Sequence, residues 1–203
     1  SMKDVGSPIF VHLGKRMRGP KELEIGSIKD IVFQNIIATG PYKPYKCIEW
    51  NYDTFVKKSQ KQFPGYYSGE EVMEDGTWQV TSNISGLVEK PLENIKFHNC
   101  YFELDGGVTE FDKEVPDEIP PSTINEETGE VIPPILEEGK KYVQSYPEVN
   151  MFGRTLPAKG FYFRHIKGLT LNYVVIKTRL PDSREMIVYD DVSELKTNTV
   201  YEM

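Results

Sequence analysis

One short pattern recurs in this chain, and it limits the folds open to it. It is seen at Ile28-Lys29-Asp30-Ile31-Val32-Phe33-Gln34-Asn35-Ile36 and at Leu92-Glu93-Asn94-Ile95-Lys96-Phe97-His98-Asn99-Cys100. A third copy is Ile166-Lys167-Gly168-Leu169-Thr170-Leu171-Asn172-Tyr173-Val174. Each copy has an apolar residue, then a polar pair ending in a turn-former (Asp30, Asn94 or Gly168). Two apolar residues spaced by two follow. A final apolar residue comes after another polar pair. A copy this short cannot bury its own apolar face, so copies must stack on one another, as in a solenoid. A weaker fourth copy begins at Val192-Ser193-Glu194-Leu195, 26 positions after Ile166 (192 − 166). That spacing fits one coil of a right-handed parallel β-helix. Ile, Val, Phe and Tyr alternate with period two in the repeats, which argues for strands over helices. Leucine-rich repeats need tighter Leu spacing. A β-sandwich is an alternative, but it gives no reason for one motif to recur.

The 203 residues suffice for one domain that buries roughly 70% of the unfolded chain's surface. A hydrophobic fraction of 38% excludes a disordered chain. No apolar run approaches the roughly 20 residues of a membrane span. A net charge of −7 argues against nonspecific nucleic-acid binding, which depends on neutralising phosphates. Cys100 occupies an apolar position of its repeat and reads as a buried thiol, and Cys47 falls in an irregular loop. Two cysteines make no disulfide framework, though a bridge between them is an open alternative. No signal peptide opens the chain, and Ser1-Met2 reads as an artificial start.

The repeats are separated by two excursions. Pro8–Leu13 reads as a strand leading into the first repeat. Residues 42–79 form an aromatic-rich insertion, with a short helix predicted from Asn51 to Lys58. Residues 103–138 form an acidic, proline-rich excursion with twelve acidic residues against the single base Lys113. Within it, Ser122–Ile132 reads as a β-hairpin with Gly129 supplying a positive φ near the turn. Gly160–His165 and Met186–Tyr189 read as strands around the later copies.

Several segments together resemble glycoside hydrolase family 28, the polygalacturonase-like family, in the branch found in bacterial gut polysaccharide degraders. They are Ser7–Arg16, Ser82–Leu87 with Pro91–Ile95, Tyr146-Pro147-Glu148, Met151-Phe152-Gly153, Leu156-Pro157-Ala158, Gly160-Phe161-Tyr162 and Arg164-His165. The resemblance implies a right-handed parallel β-helix, inverting hydrolysis of galacturonic-acid polysaccharides, and a periplasmic or secreted location. Inversion uses an acid and a base carboxyl roughly 6.5–9.5 Å apart. The family supplies these groups through Asn-x-Asp, Asp-Asp, Gly-His-Gly and Arg-x-Lys motifs. Gly-His-Gly and Arg-x-Lys are absent here. Asn51-Tyr52-Asp53 lies inside the insertion, and Asp190-Asp191 lies near the C-terminus. The chain therefore reads as late coils of such an enzyme, with its catalytic coils upstream. No catalytic residue carries over, and no cofactor is implied.

The candidate binding groups are few. Lys15, Arg16 and Arg18 suit a uronate carboxylate, since Arg offers it a bidentate fork. The bland reading of this cluster is a solvated turn. Trp50, Tyr66, Tyr67 and Trp78 suit stacking on sugar rings, and equally suit anchoring a loop. The expected partner is thus an acidic polysaccharide or oligosaccharide. Asp190-Asp191 reads as a turn before Val192; on a regular strand its two side chains would face opposite ways. His12, His98 and His165 have no metal-ligand spacing, and His165 reads as a structural hydrogen-bonding residue. The alternatives to a hydrolase are a non-catalytic carbohydrate-binding or structural β-helix module, and an assembly solenoid. Open strand edges predict self-association through the N-terminal coil, near Pro8–Leu13.

Overall fold

The computed structural model describes residues 1–3, 5, 7–14, 24–40, 82–108, 117–118, 123–132, 135, 137–138, 142–143 and 156–203. The protein is all-β, and its centre is one curled parallel sheet. The strands are β1 (Met2–Lys3), β2 (Phe10–His12), β3 (Lys29–Gln34), β4 (Ile37–Thr39), β5 (Ser82–Ser85) and β6 (Leu92–Gly106). They continue with β7 (Asp117–Glu118), β8 (Thr123–Ile124), β9 (Val131–Ile132), β10 (Tyr142–Val143), β11 (Ala158–Leu180) and β12 (Glu185–Glu202). Among the described residues there is no helix.

The copies of the repeat lie side by side in register. Ile31 pairs with Ile95, Ile95 with Leu169, and Leu169 with Leu195. Phe33, Phe97, Leu171 and Thr197 form a parallel row two residues on. The turn-formers act as the sequence predicts: Asp30, Asn94 and Gly168 have φ of 57°, 54° and 81°. In the fourth copy Glu194 takes the same position with φ 55°. A second row of corners falls at Asn35, Asn99, Tyr173 and Thr199, with φ between 51° and 62°. These left-handed residues bend long strands such as β11 into short straight stretches, so the sheet curls.

The curl brings three stretches of chain around one core. Phe97 of β6 lies 5.3 Å from Phe161 and 5.8 Å from Phe163, both on the first stretch of β11. Phe102, from the last stretch of β6, lies 4.8 Å from Phe161. Phe33 stacks on Phe97 at 4.6 Å. Such aromatic pairs contribute about 0.5–1.5 kcal/mol each beyond their area burial. Cys100 is a free, buried thiol in this core, so the alternative of a bridge to Cys47 does not hold. Burial raises its pKa.

The expected strand before the first repeat is β2, and its flanking Ile9 and Leu13 are buried. The expected hairpin is β8–β9, paired antiparallel, with Gly129 at φ 69°. The Asn125 side chain closes its turn by accepting from the Glu127 and Thr128 N–H groups. The acidic excursion also contributes β7, which pairs in parallel with β10. The predicted helix at 51–58 and the aromatic insertion around it lie outside the described residues.

Candidate functional site

The first stretch of the curled sheet is made of β2, β5 and the opening residues of β11 and β12. Val11, Ile84 and Phe163 pair across it and pack in the core. Alternation sends their neighbours to the opposite side. There His12 pairs with Ser85, Ser85 with Arg164, and Arg164 with Asp190. Beside them Phe10 pairs with Asn83, Asn83 with Tyr162, and Tyr162 with Val188. This outer face is polar, yet Asn83, Ser85, Tyr162, Arg164 and His165 are all buried. Leu156 and Ala158 pack against Tyr162 in a second, small apolar cluster.

Burial of polar groups requires partners, and these side chains supply them to one another. The Tyr162 hydroxyl donates to Asp190 Oδ2 at 2.5 Å. Arg164 Nε lies 3.4 Å from the same oxygen. Arg164 Nε also donates to His165 Nε2 at 3.0 Å. That bond makes Nε2 an acceptor and leaves the ring proton on Nδ1, which faces Asp191 Oδ2 at 2.7 Å. The Ser85 hydroxyl donates to Asn83 Oδ1 at 2.5 Å. Asn83 Nδ2 is buried with no hydrogen-bond acceptor among the described residues. Gly86 is obligatory at the adjoining turn: a Cβ there would stand 2.5 Å from the His165 carbonyl oxygen and 2.7 Å from the Leu92 nitrogen.

The electrostatics follow from burial and charge. Burial, with the Arg164 cation behind it, lowers the pKa of His12 from 6.5 to about 4. Burial, then the hydrogen bond and charge of Asp190, raise the pKa of Tyr162, which stays a phenol donor. Burial also raises that of Tyr189. Asp190 and Asp191 are where the network meets solvent, with side chains 39% and 66% exposed. Both carboxylates already face fixed partners. The described face is a clamp in which each of the two carboxylates meets a partner from β11.

The turn or coil edge expected before Val192 is instead a left-handed corner at Asp191, with φ 54°, inside the continuous strand β12. It also corrects the premise that Asp190 and Asp191 face apart. Strand alternation fails at a left-handed residue, and both carboxylates join the Arg164–His165 network. His165, expected to be a hydrogen-bonding residue, does bond to Arg164 and Asp191. His98 stands at an outward position and faces Asn172 Nδ2 at 3.3 Å, while Asn198 donates to Asn172 Oδ1 at 2.9 Å. Among the described residues no three His, Cys, Asp or Glu side chains gather as metal ligands, and no helix is long and apolar enough to cross a membrane. Lys15, Arg16, Arg18, Trp50, Tyr66, Tyr67 and Trp78 all lie outside the described residues.

The network itself escapes a residue-by-residue reading of the sequence. Its signal is the repeat offset: adding 26 to Arg164 and His165 lands on Asp190 and Asp191. Comparison with protein-family models, curated proteins and solved structures finds no match.

Proposed function

We propose that this chain forms late coils of a right-handed parallel β-helix in a polygalacturonase-like glycoside hydrolase of family 28. In that enzyme it would brace the sheet that bears the substrate cleft, with the hydrolytic carboxylates supplied by other coils. The observation that carries the reading is the in-register parallel stacking of the repeat, bent at left-handed corners in every copy. The resemblance to family 28 is the second support. Its Gly160–His165 block falls on the buried polar clamp, where Tyr162, Arg164 and His165 all have structural partners.

The reading is tested at the gene and at the bench. The reading frame upstream of Met2 is expected to encode Asn-x-Asp, Asp-Asp and Gly-His-Gly coils. A closed frame there removes the enzyme reading. The chain alone, incubated with polygalacturonate, is expected to release no new reducing ends, while the longer product of that frame releases them. Release by the chain alone would overturn the assignment of chemistry to other coils. The second reading is a non-catalytic carbohydrate-binding or structural β-helix module, with which the pairing of Asp190 and Asp191 to β11 is compatible. That module would show retention on a uronate polymer that weakens as salt rises.

A further inference from the structure

We propose that the outer face of the third stretch of the sheet is a platform for a flat, uncharged polysaccharide, whose sugar rings lie along a stripe of Ile37, Tyr101, Val175 and Tyr201. This stretch is formed by β4 and the last residues of β6, β11 and β12. Register builds the stripe: Ile37 pairs with Tyr101, Tyr101 with Val175, and Val175 with Tyr201. Their neighbours Ala38, Phe102 and Ile176 are buried in the core, so alternation turns the four outward. Ile37 is 51% exposed and Tyr201 56%. The stripe contrasts with the outward row Gln34–His98–Asn172–Asn198 on the second stretch, which is polar throughout.

Spacing, charge and area favour this occupant. Neighbouring strands lie about 4.8 Å apart, so Tyr101 and Tyr201, with β11 between them, stand roughly 10 Å apart. Two linked pyranose rings span a similar length, so rings two apart along a flat chain would each meet a tyrosine. A pyranose offers C–H groups on its face and hydroxyls at its rim, which suits the apolar body and polar tip of tyrosine. The stripe itself has no charge. The row beside it holds Lys3, Thr39, Glu103 and Lys177, and Glu103 faces Lys177 at 3.7 Å. On the other side stand the uncharged corners Asn35, Asn99, Tyr173 and Thr199. With a net charge of −7 on the chain, an acidic polymer has little to hold it here. A second copy is disfavoured by area: a stable protein interface takes about 800 Å² and about 20–30 residues per partner, and the stripe is four side chains long. The platform rests on the carbohydrate-binding reading above for the class of its ligand, and it lies on a different face from the Arg164 network.

Affinity electrophoresis of the intact chain tests this, in native gels holding hydroxyethylcellulose, glucomannan or polygalacturonate. At least one of the two neutral polymers should retard the chain, equally at low and high salt. Tyr101→Ala and Tyr201→Ala should each weaken that retardation about tenfold, and Tyr201→Phe should keep it. Tyr201 is exposed on the last strand, so Tyr201→Ala decides the matter if Tyr101→Ala does not fold. Failure of both neutral polymers to retard the chain, retardation by polygalacturonate alone, or undiminished retardation of Tyr201→Ala would overturn the platform. A dimer in sedimentation velocity that Tyr201→Ala abolishes would also overturn it, by giving the stripe to a second copy. Release of reducing ends from polygalacturonate by the longer product does not depend on this stripe, so the platform can fail while the hydrolase reading stands.

Discussion

Nine non-glycine residues among those described hold a positive φ, a conformation that costs most L-residues about 1–2 kcal/mol. Asn and Asp tolerate it best, and part of the cost is offset by bonds between successive corners. Asn94 Nδ2 donates to Asp30 Oδ1 at 2.6 Å, and Asn99 Nδ2 to Asn35 Oδ1 at 2.8 Å. The Asp30, Asn94 and Gly168 corners are therefore legible from residue type. Tyr173, Glu194 and Thr199 are not, because stacking onto a neighbouring corner imposes the bend whatever residue is present. A second residue-level feature is the Asp182–Arg184 pair, with side chains 0% and 2% exposed. Asp182 Oδ1 and Oδ2 accept from Arg184 at 3.0 and 2.8 Å, and Oδ2 also faces the Val108 N–H. Burial works to raise the Asp182 pKa, but the hydrogen bonds and charge of Arg184 and the Val108 N–H hold it below its ordinary value. Its stabilisation is thus present above the ordinary carboxylate range and is lost as pH falls through the lowered value. Asp182→Asn should remove the buried carboxylate that receives Arg184 Nε and Nη2 and cost about 3–5 kcal/mol. Chemical denaturation at pH 7 measures it; a loss under about 1 kcal/mol would show the pair to be dispensable.

At the scale of elements, the last strand differs from those it copies. β12 pairs only with β11, so its other edge has no partner among the described strands. An open parallel edge is a template for further pairing, and proteins blunt such edges with charge. The rows change accordingly at β12. The row Phe33–Phe97–Leu171 ends in Thr197, and the row Ala38–Phe102–Ile176 ends in Glu202, which pairs with Lys159. Leu195, at 40% exposed, keeps its apolar row. Restoring both rows with Thr197→Leu and Glu202→Leu should promote association through this edge. Sedimentation velocity over a concentration series is the measurement. A double variant no more associated than the wild type would mean the polar substitutions do not guard the edge. The expected association through Pro8–Leu13 concerns the opposite end, where β2 and β3 also have one described partner each.

For the molecule as a whole, the core is assembled from contacts distant in sequence. Asp30 meets Asn94 across 64 residues, His98 meets Asn172 across 74, and Asn172 meets Asn198 across 26. Closing such loops comes before any reward from parallel pairing, so folding should be slow for the chain's size. Refolding after dilution from urea is expected on the order of seconds or longer. Stopped-flow fluorescence showing complete native recovery within about a millisecond would contradict a core built in this way.

The sequence by itself determined the strand stretches, their core-facing residues and the left-handed bends at Asp30, Asn94 and Gly168. Each of those is a local property of period and residue type. Only the tertiary structure decided that Tyr162, Arg164, His165, Asp190 and Asp191 form one buried network, with His12 on the same face. The reason is the uneven spacing of the copies, 64, 74 and then 26 residues, which hides from local pattern which rows will align. Once the rows align, parallel register alone sets Arg164 beside Asp190, and burial then ties their charges together.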